Sequence, residues 1–224
     1  MWWLLILIVV GVILAIILTI IFIYSQKSEK YVDRDQEEIE QFGKVGENYV
    51  AKYLQGIAKT YNGYLYNDYC FEDDKGYSTE IDHILITSGG LFIIETKTHK
   101  GTIFGEIDNP KWVCVKKSYQ DDKELKNPII QNQGHINHLK IMFKGNPPKM
   151  ESIIIFVIAD ISNVKYDNVY NLSSAMTYIA DKSASNRYPP TYIESVNNRL
   201  INIKEKYGIS KQKHIENIKR KYHQ

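Results

Sequence analysis

The sequence predicts an α/β protein: a mixed central sheet flanked by helices, preceded by one N-terminal transmembrane helix. Three observations predict it. Residues Trp2 to Tyr24 carry no charge. Two strongly apolar runs meet at Ser88-Gly89-Gly90 and read as a hairpin. Segments of helical period alternate with a continuous apolar run, Ser152–Ala159, of the kind buried on both faces of a sheet. The 224 residues suffice for one domain with a core plus an appendage.

The first element is the apolar run. At ~1.5 Å per residue, residues 2–24 reach about 34 Å, enough to cross a hydrocarbon layer of ~30 Å. Trp2, Trp3 and Tyr24 stand at its ends, where amphipathic rings favour the headgroup level. A cleaved signal peptide needs a basic leader and a small-residue cleavage site, and the SQKSEK that follows the run supplies neither. A retained anchor is therefore expected, with the lipid bilayer as partner. Lys27, Lys30 and Arg34 lie downstream and no Lys or Arg lies upstream, so the body is expected on the cytoplasmic side. Cys70 and Cys114 form no C-x-x-C pair, which excludes a zinc ribbon and a redox motif and suits a reducing compartment.

Residues 25–42 are polar and charge-rich and read as a connector. A helix follows from about Gly43 to Ile57, with Val45, Tyr49, Val50, Tyr53 and Leu54 as its apolar face. Asn62–Phe71 has aromatic strand character; the hairpin comes next, and Gly101–Glu106 and Lys111–Lys117 read as short strands. Asn127-Pro128 starts a helix, with Asn as N-cap and Pro in the first turn. That helix runs to about Phe143, turns Ile129, Ile136, Leu139 and Phe143 inward, and stops at Gly145-Asn146-Pro147-Pro148. Ser152–Ala159 is the buried strand, and a last helix spans Pro190–Lys206 after a less regular stretch. The organisation is an anchor (2–24), a connector (25–42), a core (43–160) and a C-terminal extension (161–224). Net charge is only +2, yet Arg199, Lys204, Lys206, Lys211, Lys213, Lys219, Arg220 and Lys221 are opposed in the tail by Glu205 and Glu216 alone. Such a tail reads as a solvated helix face or as a contact for nucleic acid or anionic lipid.

The hairpin carries the chemistry. Strand side chains alternate, so Asp82 shares a face with Ile84 and Ile86, and Glu95 and Lys97 share one with Leu91 and Ile93. A turn at Ser88-Gly89 pairs Thr87 with Gly90 and puts Asp82 opposite Glu95 and Glu80 opposite Lys97; a turn at Gly89-Gly90 puts Asp82 opposite Lys97. Either way the three charges fall on one face. Directly opposed carboxylates stand about 5 Å apart and repel unless neutralised. A divalent cation with oxygen ligands and retained waters, such as magnesium, would neutralise them. An exposed salt bridge of Lys97 is the bland alternative, and four large aliphatics on the same face argue against it.

Asp82 followed by Glu95-Thr96-Lys97 resembles the PD-(D/E)XK nuclease superfamily, and the wider pattern resembles its nuclease-related domain. That pattern comprises Gly43-x-x-Gly46-Glu47, Glu80-Ile81-Asp82-His83-Ile84, Ile94-Glu95-Thr96-Lys97-Thr98 with Gly101, Trp112, and Asn127-Pro128-Ile129-x-Gln131-Asn132. The superfamily's proline before the Asp is Ile81 here. The resemblance implies a restriction-endonuclease-like core and metal-dependent hydrolysis of phosphodiester bonds in nucleic acid, DNA first. It implies that Asp82, Glu95 and the backbone of Thr96 hold Mg2+, with Glu47 approaching directly or through water. Lys97 would orient the attacking water, and Gln131 would hydrogen-bond near the metal or the scissile phosphate. His83 is expected in the core or on the surface, His99, His135 and His138 are given no role, and Trp112 is expected to pack. A non-catalytic nucleic-acid-binding module and a membrane scaffold are the alternative readings.

Overall fold

The computed structural model describes residues 40–116 and 122–222, with the isolated positions 18, 19, 22 and 38. The chain divides into two units, Met1–Lys44 and Val45–Gln224. In the first, the described residues are helical. Apart from positions 18, 19 and 22, the expected anchor at 2–24 lies outside the described residues, as does most of the connector. Among the described residues, no helix is long and apolar enough to cross a membrane.

The second unit opens on helix α1 (residues 45–60). Strands β1 (Tyr64–Glu72), β2 (Ser78–Thr87) and β3 (Gly90–Lys97) follow as an antiparallel meander. The chain then makes a small separate sheet of β4 (Thr102–Phe104), β5 (Lys111–Val115) and β6 (Lys123–Lys126), in that order. Helix α2 (Pro128–Phe143) carries it back to β7 (Met150–Phe156), parallel to β3, and β8 (Val169–Asn171) lies parallel to β7. Helices α3 (Leu172–Ala184), α4 (Pro190–Tyr207) and α5 (Lys211–Tyr222) complete the unit. The large sheet runs β1-β2-β3-β7-β8 and is mixed, as expected.

Alternation along the strands sorts the core into layers. Ile84, Ile86, Leu91 and Ile93 face Ile136 and Leu139 of α2 and Val196 and Leu200 of α4. Leu85, Phe92 and Ile94 face Val50 and Leu54 of α1 and Ala175 and Ile179 of α3. The small sheet closes over Ile154 and Phe156 of β7 with Ile103 and Trp112. Each large apolar side chain buried in these layers contributes on the order of 1.5–3 kcal/mol.

Helix α2 begins where the sequence places it. The Asn127 side-chain oxygen accepts from Ile129 N and Ile130 N, and its amide nitrogen donates to the Ile107 and Asn109 carbonyls. The side chain thus satisfies two donors of the first turn and fastens the preceding loop. The expected apolar face of α1 is corrected. Val50 and Leu54 are buried, with Ala58, but Val45, Tyr49 and Tyr53 are 65%, 48% and 45% exposed. Tyr49 and Tyr53 satisfy each other instead, ring edge to ring face at 5.1 Å with hydroxyls 3.0 Å apart.

The turn between β2 and β3 takes the first of the two registers: Thr87 pairs with Gly90 and Ile86 with Leu91. It is locked from above by the end of α3. Thr87 Oγ1 lies 2.7 Å from Ser183 Oγ, and Ser88 Oγ donates to the Ser183 carbonyl at 2.5 Å. A Cβ on Gly89 would fall 2.5 and 2.6 Å from the backbone carbon and oxygen of Lys182. Backbone cannot swing aside as a side-chain tip can. Gly89→Ala is therefore expected to cost about 1–3 kcal/mol of stability, read as a lower urea midpoint at unchanged m-value.

Candidate active site

The β2–β3 ladder stops at the pair His83–Ile94, and beyond it the strands part. From there β2 pairs only with β1, and β3 continues on β7. The backbone of β1 is unusual beside this point. Asp68 of β1 has φ +47°, a left-handed conformation that Asp tolerates better than most residues. The β1–β2 pairing skips Asp68 and Asp82, between Asn67–His83 and Tyr69–Ile81. Strict alternation fails at this point, since Ile81 packs in the same cluster as Ile84 and Ile86. The expectation that Asp82 simply continues their face is corrected. Its carboxylate enters the gap between the strands, where Oδ2 accepts from Thr96 N at 2.7 Å.

That bond brings Asp82 to the Glu95-Thr96-Lys97 segment. Glu95 is 2% exposed at the residue level. Its Oε1 accepts from Lys97 Nζ at 2.6 Å, and Lys97 Nζ also donates to Gln131 Oε1 at 3.0 Å. Gln131 comes from the first turns of α2, and one turn later the same face presents His135, whose Nε2 lies 3.3 Å from Glu95 Oε2. Glu95 Oε2 is itself buried, with His135 Nε2 as its near polar neighbour. Helix α2 is held at this height by Asn132, fully buried, whose amide donates to the Ile93 carbonyl and to Ser152 Oγ, each at 2.9 Å.

Glu47 approaches from α1. Gly46 permits this, since a Cβ there would sit 2.0 Å from Thr98 Cγ2 just past β3. Glu47 Oε2 is 3.8 Å from Lys211 Nζ of α5. The same ammonium bonds Asp68 Oδ1 at 2.8 Å and pairs with Glu80 Oε1. Glu80 therefore meets Lys211, not Lys97 as the hairpin register suggested. Part of the basic tail is thereby committed to the core: α5 also places Lys213 3.4 Å from Glu72, and His214 Nδ1 2.9 Å from Ser78 Oγ.

The electrostatics follow from crowding acids out of water. Burial, and then the Glu95 carboxylate, push Asp82 well above the usual range of an aspartate, against the opposing pull of Lys97 and the Thr96 amide. Burial raises Glu95 too, but Lys97 and His135 more than offset it and hold that carboxyl low. Burial depresses Lys97, and Glu95 and Asp82 more than restore it, so the ammonium stays charged. Glu47 is raised, chiefly by burial. His83 is buried, bonded to Asn67 Oδ1 at 2.8 Å and held neutral by burial with a pKa of about 4, a core residue as expected. Trp112 is fully buried, donates to the Glu106 carbonyl and stacks on Phe156.

The sequence reading gave no role to two residues that the structure puts here. His135 carried a signal, its spacing of four from Gln131, which places both on one face of a helix. Lys211 carried none, being brought in by the packing of α5 from far along the chain.

Whether these residues fit magnesium can be asked of them directly. Among the described residues, no group of three or more His, Cys, Asp or Glu side chains is arranged to hold a metal ion. Two carboxylates do converge: Glu95 is buried against Lys97 and His135, and Asp82, half-buried, is driven toward its neutral form. Oxygen ligands in that number suit an ion that keeps several waters. The two acids are donors of the type a hard divalent cation takes.

A family model described as nuclease-related domain matches residues 42–157. An uncharacterized protein of Bacillus anthracis is 30% identical over 107 residues, which is 47% of this chain and 49% of that protein. The chain thus spans about half the length of this curated relative. No solved structure matches the chain.

Proposed function

The chain belongs to the nuclease-related domain family, and from that premise we propose that it is a membrane-anchored, magnesium-dependent hydrolase of phosphodiester bonds in DNA. The observation that carries the reading is the pair of unequal acids in the gap between β2 and β3. Asp82 Oδ2 accepts from Thr96 N and burial drives Asp82 toward its neutral form, while Glu95 is buried between Lys97 Nζ at 2.6 Å and His135 Nε2 at 3.3 Å. A cation would resolve both acids at once. A merely structural ion pair would leave neither in that state.

Asp82, Glu95 and the Thr96 carbonyl would hold magnesium, which would supply Lewis-acid polarisation of the phosphate and activation of water. The chain's own residues do the rest. Lys97, fixed by Glu95 and Gln131, orients the attacking water and donates to the charge that builds on the phosphoryl oxygens. Gln131 acts by holding Lys97. His135 holds the second oxygen of Glu95 from the helix side. Glu47, whose near partner is Lys211 at 3.8 Å, would act on the ion through water.

Supercoiled plasmid tests this. Purified protein is expected to nick it with magnesium and not with EDTA, and Glu95→Gln is expected to lower the rate by about 10²-fold or more. DNA binding that persists without any cleavage would sink the catalytic reading and favour a binding module. The proposed anchor at residues 2–24 is tested separately: a reporter fused after Gln224 is expected to report the cytoplasm.

A further inference from the structure

We propose that the exposed ridge of α2, with the basic cleft at its end, is a track for the phosphate backbone of a nucleic-acid strand leading away from the candidate active site. The proposal rests on the nuclease reading above for what the strand is.

The ridge is free of acids. From Asn127 to Lys149 the chain has no Asp or Glu. Gln133, Asn137, Lys140 and Lys144 are exposed and recur at i, i+4, i+7 and i+11, which aligns them in one stripe. Gln131 and His135, which meet Lys97 and Glu95, lie on the adjoining face of the same helix. The stripe therefore starts beside the candidate site. At ~1.5 Å per residue it is about 16 Å long, the span of about five phosphates at ~3.4 Å per nucleotide. A Cβ on Gly134 would have nothing within 4 Å, so helix backbone lies uncovered beside the stripe, where a strand can approach closely.

The stripe ends in a cleft of about 240 Å³ between the end of α2 and the last turns of α4. Lys144, Arg199 and Lys206 line it together with Asn202 and Tyr207, and no carboxylate does. Arg199 is fixed in place. It donates to the Phe143 carbonyl at 2.8 Å and the Asn146 carbonyl at 3.0 Å, and its guanidinium carbon lies 4.6 Å from the centre of the Phe143 ring. That engagement uses two of its five N–H donors. Lys144 Nζ donates to the Tyr207 hydroxyl at 3.1 Å, and Lys206 Nζ lies 5.0 Å from the centre of the Tyr207 ring. The two ammoniums hold that hydroxyl below the usual range of a phenol. Asp74 acts on Lys144 from outside the cleft, less than Tyr207 does. Among the described residues, none of the three cations has a carboxylate within ion-pair distance, whereas Lys211 and Lys213 of α5 are committed to acids. Cations gathered in this way repel one another until an anion enters. A phosphate accepts from a fixed guanidinium and from ammoniums alike.

Lys144 shows that the arrangement has a cost. Its φ of +47° and ψ of 137° suit glycine and strain a residue with a side chain. The strained position is the one that brings the ammonium to Tyr207. A lipid headgroup offers the same phosphate chemistry. The ridge favours a strand, because its polar groups run in a line from the residues that would cut one.

Fluorescence anisotropy of the full-length chain in detergent tests this, with a labelled duplex of about 20 base pairs at several salt concentrations. EDTA is present throughout, so that binding is read apart from cleavage. Lys140→Gln, Lys144→Gly and Lys206→Gln are each expected to weaken binding about fivefold at about 0.15 M salt and to lower the salt slope by about one. The triple variant is expected to lower the slope by about three. Lys59→Gln, at an exposed position of α1, is expected to change neither. Lys144→Gly is also expected to keep or raise the urea midpoint, because it relieves the backbone. If it unfolds instead, Lys140→Gln and Lys206→Gln, at exposed positions, still decide the matter. Duplex binding that these variants leave unchanged would overturn the proposal and leave the nuclease reading standing. Variants that lose affinity for phosphatidylserine micelles but not for the duplex would overturn it too, and would assign the cleft to a lipid headgroup. The expected slope changes without any nicking in magnesium would sink the catalytic reading and uphold the track. A wild type that binds neither duplex nor single strand would sink both.

Discussion

Replacing Lys97 with methionine is expected to lower plasmid cleavage by about 10²–10³-fold and to destabilise the ion-free protein by about 3–5 kcal/mol. The two effects share one cause. Lys97 Nζ lies 2.6 Å from Glu95 Oε1, and the Glu95 side chain is 3% exposed. Methionine keeps the volume of the stem and removes the charge. Glu95 is then buried beside Asp82 with only His135 nearby. A buried ion pair need not add stability over an apolar pair, but removing one partner strands the other. Chemical denaturation in EDTA measures the loss. Magnesium is expected to recover part of it by mass action, at ~2.7 kcal/mol for an ion at a hundred times its Kd. Lys97→Arg is expected to restore stability better than activity, because a planar fork cannot put a point charge where the ammonium sits.

Asp82→Asn is expected to do the opposite to stability while still removing cleavage. Asn preserves the shape and can still accept from Thr96 N. Asp82 is raised in the folded state above its ordinary value, by burial first and by Glu95 second. An acid so raised contributes stability fully below its unfolded pKa of ~4 and loses it as pH climbs through the folded value. At neutral pH without a cation, Asp82 therefore opposes folding. The Asn variant should be more stable at pH 7 by roughly 1–2 kcal/mol, the scale on which relieved functional sites gain. The difference should shrink as pH falls toward 4. Thermal unfolding in EDTA at several pH values gives the sign. With magnesium the order should reverse, since only the wild type gains a ligand. A wild type that is more stable than Asp82→Asn in EDTA at pH 7 would show that the carboxylate is not under stress.

What the sequence disclosed about the fold was whatever depended on local rules. Asn127-Pro128 announced α2 to the residue, because an Asn side chain that accepts from the next turn and a Pro that needs no donor admit few other readings. Ser88-Gly89-Gly90 left two registers open, and the one adopted fits the backbone of α3 over Gly89. Elements with mixed surfaces were hidden. Helix α3 buries only Ala175, Ile179 and Ser183 and starts on Asn171, so its Ser- and Thr-rich sequence read as loop. On α1, tyrosines that look apolar in a periodicity count stay outside, where their hydroxyls bond each other.

The candidate site was legible in the same uneven way. Asp82, Glu95 and Lys97 were visible as charges in apolar strands around one turn, although alternation misjudged the face of Asp82, and Gln131 was visible through the family resemblance. The gap in which Asp82 sits was not, for the β2–β3 ladder ends at His83–Ile94 with no signal in the strand pattern. Lys211 was invisible because no local rule joins the first residue of α5 to carboxylates on α1, β1 and β2.

The bond from Thr96 to Asp82 has a spectroscopic consequence. A strand amide is ordinarily shielded by the neighbouring backbone, and its solvent exchange reports unfolding. The Thr96 proton is shielded by a side chain whose own protonation is at stake. Its exchange rate and chemical shift therefore follow the occupancy of one carboxylate rather than the integrity of the sheet. That single resonance gives a substrate-free gauge of whether the centre is charged, neutral or ligated.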